Sequence, residues 1–463
     1  MDFKEDDPST QIVARRLCAA FWLVLAGISL AAFLGTVNDV MESPGTDLRC
    51  RVVGARAMML GMDPYFMPAK TDQVQTLQDP DRYAAVCTRC TYAPTLLCLY
   101  MPFANLSYQA QRYIWFGIEW CALAGSIVLL RETLRGRLIK NVFTAIATFF
   151  FADGVFWRLH LERGQYYVFI VFLLSLTAWF CIGKSGDEET PTARDHWWNG
   201  IPLGIAAAMR LTPLAALLPL WVSGFRRTAV GAAVVFGACI AGALAVAGPG
   251  PWESYFRSVS IQSRLVLDSD FFNSERAKLP PLPATAEGMT FKQRIAMPCA
   301  NVTFAMDILQ PMSDRFHWMP GRDQWQLISR GGAAVVCLLF PLALRRRTLG
   351  PAEKLAAVFL CVLSVDFFLP ARISYADILF LAPIALLMPS MLRDRKGFIW
   401  LAVTLLGLAM CHGMLPTQLP ISLLRPPLLM LGLLAYLAVR WTDRPSPSPA
   451  QAVEVEELHA RAA

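Results

Sequence analysis

The sequence predicts an all-α, polytopic membrane protein with about ten to twelve helices. Of its 463 residues, 55% are hydrophobic and only 17% are charged, whereas soluble domains carry about a quarter charged residues. The mean hydropathy is +0.43. The charged residues also cluster between long apolar stretches, as they do in the loops of membrane proteins.

The net charge of +7 does not indicate a nucleic-acid partner. The Arg and Lys residues stand in short runs between apolar stretches, which suits loops that face anionic membrane lipid. Placing every run in the cytoplasm satisfies the positive-inside rule. The runs lie at residues 14–16, 131–140, 184–194, 226–227, 345–354, 393–396 and 440–444.

The apolar stretches between these runs predict the membrane spans. They fall at 17–34, 108–130, 142–156, 166–182, 230–247, 333–344, 356–369, 378–392, 398–411 and 421–439. We expect the first to be an uncleaved helix, because no small-x-small cleavage site precedes Asn38. Residues 92–103 and 198–222 predict re-entrant helices, since both contain proline and both begin and end on one side. For residues 198–222 the alternative is one ordinary crossing, which would invert everything that follows.

This topology divides the chain into three parts. Residues 1–16 form a cytoplasmic N-terminus, and residues 17–440 form the transmembrane domain. Exterior loops lie near 36–107 and 248–326. Residues 441–463, rich in Pro, Ser and Glu, form a flexible cytoplasmic tail.

Four of the 12 cysteines fall in the exterior segments, namely Cys50, Cys87, Cys90 and Cys299. In an oxidising compartment they predict one or two disulfides, with three pairings open. The Cys87-x-x-Cys90 pair lacks the second pair that a zinc site needs. We expect neither a metal nor a cofactor.

Asp47 is the first candidate for chemistry. It follows the first apolar helix and precedes an amphipathic run in which Arg49 and Arg56 fall on neighbouring turns. The alternative is that Asp47 only caps this helix, because Asp at a helix start accepts backbone N–H bonds. Asp39, nearer the membrane edge, ranks second.

Four arginines form the second signal: Arg158, Arg163, Arg210 and Arg372. Each is predicted outside or within the membrane, against the positive-inside bias, so each needs a reason to be there. Together they would suit a phosphate or pyrophosphate at the lipid interface. The alternative is pairing with Glu162, with Asp377 or with lipid headgroups.

The order of several short motifs resembles glycosyltransferase family 87. The motifs are Asp47 after the first helix, Gly61-Met-Asp-Pro-Tyr65, Tyr92-Ala-Pro94, Gly164-Gln165, Arg210-Leu-Thr-Pro213, Asn301-Val-Thr303 and Arg372-Ile-Ser-Tyr375. Many relatives have Lys-x-x-Pro and Asn-Gln-Ser where this chain has Arg210-x-x-Pro213 and Asn301-Val-Thr303. The first departure keeps the charge, and the second changes two of the three residues of that motif.

The resemblance implies a GT-C fold and an inverting sugar transfer on the exterior face of the cell (inner) membrane. The donor would be a polyprenyl-phosphate-sugar of the mannose or arabinofuranose class. The acceptor would be a glycan or a glycolipid, and membrane lipids would surround the protein. Asp47 would be the general base, and the four arginines would bind the donor phosphate. The candidate substrate-binding residues are Arg49, Arg56, Tyr65, Tyr92, His160, Gln165, Asn301 and Tyr375.

Two other classes of function fit the same composition. A transporter or flippase for a lipid or a polyisoprenoid-linked substrate, without glycosyl transfer, would also have many helices and intramembrane arginine. Such proteins usually contain inverted repeats and a site near the bilayer midplane, and neither is visible in this sequence. A non-catalytic partner in envelope assembly is the third possibility. The sequence does not identify the sugar, the acceptor or the oligomeric state.

Overall fold

The fold was analysed on a computed structural model of the chain. It describes residues 8–43, 45–66, 77, 90–152, 154–183, 194–267, 330–338, 341, 344, 349–368, 374–393, 395–411, 429–430 and 432–438. Within these ranges the chain is helical and contains no β-strand. The predicted Asn301 and Arg372, together with Cys87 and Cys299, lie outside the described residues.

Fourteen helices carry labels here, in chain order. The first seven are α1 (Pro8–Glu42), α2 (Thr46–Met59), α3 (Pro94–Tyr100), α4 (Tyr108–Thr133), α5 (Arg137–Ile146), α6 (Val155–Arg163) and α7 (Tyr167–Ile182). The next seven are α8 (Ile201–Met209), α9 (Leu217–Ser223), α10 (Arg226–Ala247), α11 (Gly250–Leu267), α12 (Pro351–Phe368), α13 (Leu381–Met391) and α14 (Arg395–Cys411). Short 3₁₀ turns precede several of them, including Thr212–Ala216 and Ser374–Phe380.

Three helices in the described ranges are long and apolar enough to cross a membrane. They are α1 from Arg16, α4 and α10. A fourth span results if the bent pair Arg137–Ala152 and Phe156–Arg163 is counted as one crossing. Shorter apolar helices, α7 among them, accompany these spans. The prediction of an all-α membrane protein is therefore confirmed.

The first helix is longer than the predicted span 17–34, since α1 continues to Glu42. Thr36 and Val40 in this extension are 0% and 3% exposed. Packing against the rest of the protein thus stabilises a polar segment that the hydropathy pattern alone assigns to a loop.

The predicted span 142–156 is bent. Helix α5 passes into a π-helix at Ala147–Ala152 and stops, and α6 begins at Val155 after a turn of 53°. Gly154 occupies the break, where a Cβ atom would lie 2.4 Å from the carbonyl oxygen of Phe150. Only glycine fits this bend. Residues 158–163, expected in an exterior connection, are consequently helical.

The second predicted re-entrant segment is broken at its middle, as expected. Helix α8 ends before Arg210, whose backbone is extended (φ −151°, ψ 134°). A 3₁₀ turn and α9 then follow. The first such segment forms α3, which begins at Pro94. Whether either segment re-enters or crosses the membrane stays a prediction.

A tight corner between α6 and α7 positions the candidate site. Gly164 adopts a left-handed conformation (φ +64°), and the Gln165 N–H donates to the His160 carbonyl at 2.9 Å. A Cβ atom at Gly164 would lie 2.7 Å from the Cβ of Leu48 on α2. The corner therefore packs directly on the first turns of α2, which brings Arg163 to Asp47.

Gly164→Ala should destabilise the protein more than Gly61→Ala. Both glycines have positive φ, +64° and +69°, and a left-handed alanine costs about 1–2 kcal/mol. Gly61 has open space around its Cβ position, whereas Gly164 contacts Leu48. Thermal unfolding of the purified variants in detergent measures the difference. Equal losses would show that the corner does not pack tightly on α2.

Candidate active site

The Asp47 carboxylate forms an ion pair and does not cap its helix. The N-cap of α2 is Gly45, and no side chain caps this end. The Asp47 Oδ2 atom instead accepts a hydrogen bond from the Nε of Arg163, which is 116 residues further along the chain. The structure thus favours a role for Asp47 outside helix capping.

This pair is partly open to its surroundings. The side chains of Arg163 and Asp47 are 16% and 15% exposed. The second carboxylate oxygen of Asp47, Oδ1, forms no hydrogen bond with the part of the chain that the structure describes. This oxygen is therefore available to accept a proton from a bound molecule.

A row of aromatic contacts leads away from Arg163. Its guanidinium lies 5.9 Å from the ring centroid of Tyr375. The Tyr375 ring is 5.3 Å from that of Tyr167, and the Tyr167 ring lies 4.8 Å from the guanidinium of Arg210. Three successive contacts thus connect two arginines that are far apart in sequence, and distances of this size allow cation–π attraction.

Arg210 ends this row in a second ion pair. Its Nε and Nη2 atoms donate to Oδ1 of Asp366 on α12, at 2.9 and 2.5 Å. The Asp366 side chain is 0% exposed, whereas that of Arg210 is 19% exposed. Arg210 therefore extends from a buried carboxylate towards an accessible surface.

Arg51 lies directly behind the site, and the sequence analysis missed it. It is 0% exposed, it donates to the Gly164 carbonyl, and its guanidinium lies 4.8–5.5 Å from the rings of Tyr92, Trp115 and Tyr166. Burial acts to lower the pKa of Arg51, but nearby groups, Tyr92 first and Asp47 among them, outweigh it and raise that pKa. Arg51 is therefore a permanent cation that holds the Gly164 corner.

Two of the predicted cations interact elsewhere. Arg56 donates to the carbonyl oxygens of Ala104, Leu77 and Leu106 at 2.7–2.8 Å, which occupies its guanidinium in holding loops. Arg49 is buried with its guanidinium 4.2 Å from the Tyr108 ring centroid.

Two predicted residues of α6 also point away from Asp47. Arg158 is exposed, and five residues of helix separate its direction from that of Arg163 by about 140°. His160 is fully buried, with Nδ1 3.1 Å from a Glu119 carboxylate oxygen and Nε2 accepting the Val168 N–H. Its two ring nitrogens thus contact α4 and α7 and not Asp47.

The predicted tyrosines lie around the row of contacts. Tyr65 is 2% exposed and donates to the Tyr92 carbonyl at 2.6 Å. The Tyr92 ring lies 5.7 Å from that of Tyr166, and the Tyr166 ring stacks on that of Tyr167 at 5.2 Å. Gln165 is 1% exposed at the corner, where its carbonyl accepts the indole N–H of Trp115. The Asp39 carboxylate forms no hydrogen bond or ion pair within the described ranges.

No group of three or more His, Cys, Asp or Glu side chains in the described part of the chain could hold a metal ion. Cys90 is a buried free thiol, and burial raises its pKa to about 12. A disulfide at Cys90 is therefore not present in this structure.

Asp366 is the second residue that sequence reasoning missed, although a signal for it exists. It is the only acidic residue in the predicted span 356–369. An acidic residue within a membrane span is a candidate functional residue by default. The same rule would have identified Glu119 in α4. The signal for Arg51 is weaker, because it lies between two other arginines on the same helix.

Arg210→Met should destabilise the protein more than Asp366→Asn. Removing the cation breaks the ion pair of a fully buried carboxylate, and breaking such a buried pair costs about 3–5 kcal/mol. In Asp366→Asn the amide oxygen can still accept from Arg210, and that guanidinium is itself partly accessible. Thermal unfolding of both variants in detergent compares the two losses. A larger loss for Asp366→Asn would contradict this account of the pair.

A protein-family model identifies the family to which the chain belongs. The model of glycosyltransferase family 87 matches residues 91–369, which is more than half of the chain. Comparisons with curated proteins and with solved structures gave no match. The matched region contains Arg163, Arg210 and Asp366, while Asp47 and Tyr375 lie outside it. The chain belongs to glycosyltransferase family 87 and is a membrane glycosyltransferase.

Proposed function

We propose that this enzyme transfers a sugar from a polyprenyl-phosphate donor to a lipid-linked or envelope glycan acceptor, with inversion. The sugar is of the mannose or arabinofuranose class. The site faces the periplasmic or extracellular side of the cell (inner) membrane, as the distribution of Arg and Lys favours. Neither a metal nor a cofactor takes part in this proposal.

One observation carries the proposal. Asp47 is held by Arg163 at one end of a continuous row of side chains, and Arg210 is held by Asp366 at the other end. A carboxylate with one oxygen available and a partly accessible guanidinium are the two groups that such a transfer needs. The tyrosines between them offer ring faces and hydroxyls to a sugar.

At the acceptor end, Asp47 acts as general base. Its Oδ1 takes the proton of the acceptor hydroxyl while the hydroxyl oxygen attacks the anomeric carbon. Arg163 keeps the carboxylate in one orientation through Oδ2, so that Oδ1 faces the incoming hydroxyl. The new glycosidic bond forms on the face opposite the phosphate, which inverts the configuration.

At the donor end, the bond between the anomeric carbon and the phosphate oxygen breaks, and its electron pair stays on the phosphate. Arg210 offsets the charge that develops there, because a positioned guanidinium stabilises a forming oxyanion most where water is excluded. The products are the glycosylated acceptor, the polyprenyl monophosphate and one proton, first carried by Asp47.

Asp47→Asn should strongly reduce transfer while leaving the protein folded. Losing a general base typically lowers the rate about 10²–10⁴-fold. The assay supplies radiolabelled polyprenyl-phosphate-sugar and a crude glycolipid acceptor to the purified protein in detergent, and it measures donor consumption. Thermal unfolding of the same sample confirms that the variant is folded.

Asp39→Asn is the matched control, because Asp39 is the second candidate base. We expect this variant to keep most of the activity, since Asp39 has no arginine to orient it among the described residues. Activity lost in Asp39→Asn but kept in Asp47→Asn would transfer the role to Asp39. A wild-type protein that leaves every tested donor intact would favour the transporter hypothesis.

A further inference from the structure

Each of the two ion pairs at the candidate site is neutral without any substrate. Asp47 pairs with Arg163, and Asp366 pairs with Arg210, so the four side chains sum to zero. A site built only to hold phosphate would leave a guanidinium without an acidic partner. The buried Asp366 therefore calls for a reason beyond anion binding.

The chemistry of the leaving group supplies that reason. The donor is a phosphodiester with one negative charge, whereas the product is a phosphate monoester. Its second ionisation has a pKa of about 6, so it carries up to two charges near neutral pH. An arginine without a counter-charge would bind the product more tightly than the donor, and the product would block the site.

We propose that Asp366 is a positioning residue that weakens the binding of the leaving phosphate by Arg210. It thereby permits release of the polyprenyl monophosphate. The inference rests on the proposed function and concerns the donor end of the same site. Asp366 acts through Arg210 and does not itself contact the substrate.

The geometry of the pair fits this role. Both bonds from Arg210 go to a single oxygen of Asp366, through Nε and Nη2. This arrangement fixes one edge of the guanidinium, and the face is covered by Tyr167 at 4.8 Å. Because Asp366 is fully buried, water does not screen its repulsion of a second phosphate charge.

The effect is large enough to measure. A carboxylate about 7 Å from a phosphate, at an effective dielectric constant of about 20, changes affinity by at least about tenfold per phosphate charge. The dianionic product feels this repulsion twice and the monoanionic donor once. The preference for dianion over monoanion therefore reports on Asp366.

The test measures binding of two probes at pH 8 to the wild type, Asp366→Asn and Ser364→Ala. Farnesyl phosphate is a dianion at this pH, and methyl farnesyl phosphate is the monoanionic diester with the same tail. Ser364→Ala is the matched control: Ser364 lies on α12 and bonds the Leu360 carbonyl, away from Arg210. Donor turnover by the wild type is measured on the same preparation.

We expect the wild type and Ser364→Ala to prefer the dianion by less than about tenfold. Asp366→Asn should raise that preference by about tenfold, with tighter binding of farnesyl phosphate and stronger product inhibition. An unchanged preference, or equal weakening of both probes, would overturn the proposal and leave Asp366 a purely orienting role.

Three further outcomes also test the proposal. If Asp366→Asn does not fold, the wild type alone is decisive, because a dianion preference above about 100-fold would overturn the proposal. If the wild type turns over donor but binds neither probe, the inference fails and the proposed transfer survives. Probe binding without turnover by any tested donor would count against the transfer itself.

Discussion

Two arginine–carboxylate pairs determine how the site is assembled. Charged side chains away from water are tolerated only when they are paired and hydrogen-bonded. The Asp47–Arg163 pair joins α2 to the end of α6, and the Arg210–Asp366 pair joins the broken α8–α9 segment to α12. The partners are 116 and 156 residues apart. Each pair thus fixes a long-range contact that apolar packing alone would leave less specific.

Glycines decide whether these pairs can form. Arg163 reaches Asp47 because Gly164 allows a left-handed turn that fits against Leu48. The break at Gly154 sets the direction of the same helix, α6, at its other end. Arg51 then secures the corner from behind by donating to the Gly164 carbonyl. A small change in this backbone would separate Arg163 from Asp47 even if every charged residue were kept.

Sequence reasoning identified both members of the Asp47–Arg163 pair but only Arg210 of the second pair. Asp47, Arg163 and Arg210 were selected because of motif order and because exterior or buried arginine opposes the positive-inside bias. The break at Arg210 was also predicted. Asp366 was missed, because one acidic residue hardly lowers the hydropathy of its span, and its partner is remote in sequence.

Two of the predicted site residues have partners other than the Asp47–Arg163 pair, for a shared reason. Arg56 and His160 are of suitable residue types, but their side chains bind carbonyl oxygens and a neighbouring helix. Which face of a short helix points to a cavity depends on what packs against it, and the pattern of residues does not encode this. The bend at Gly154 was missed likewise, since a glycine within an apolar run is compatible with either a straight or a broken span.

The arrangement divides the proposed reaction between two parts of the chain. The residues proposed to manage the phosphate, Arg210 and Asp366, lie within the region that matches the family, while the proposed base lies before it. Every donor of the proposed class presents the same phosphate, whereas acceptors differ in shape. A fixed donor-binding end can therefore work with an acceptor end on a separate helix, provided that their relative position is fixed. Arg163 fixes that position, because it lies within the matched region and pairs directly with Asp47.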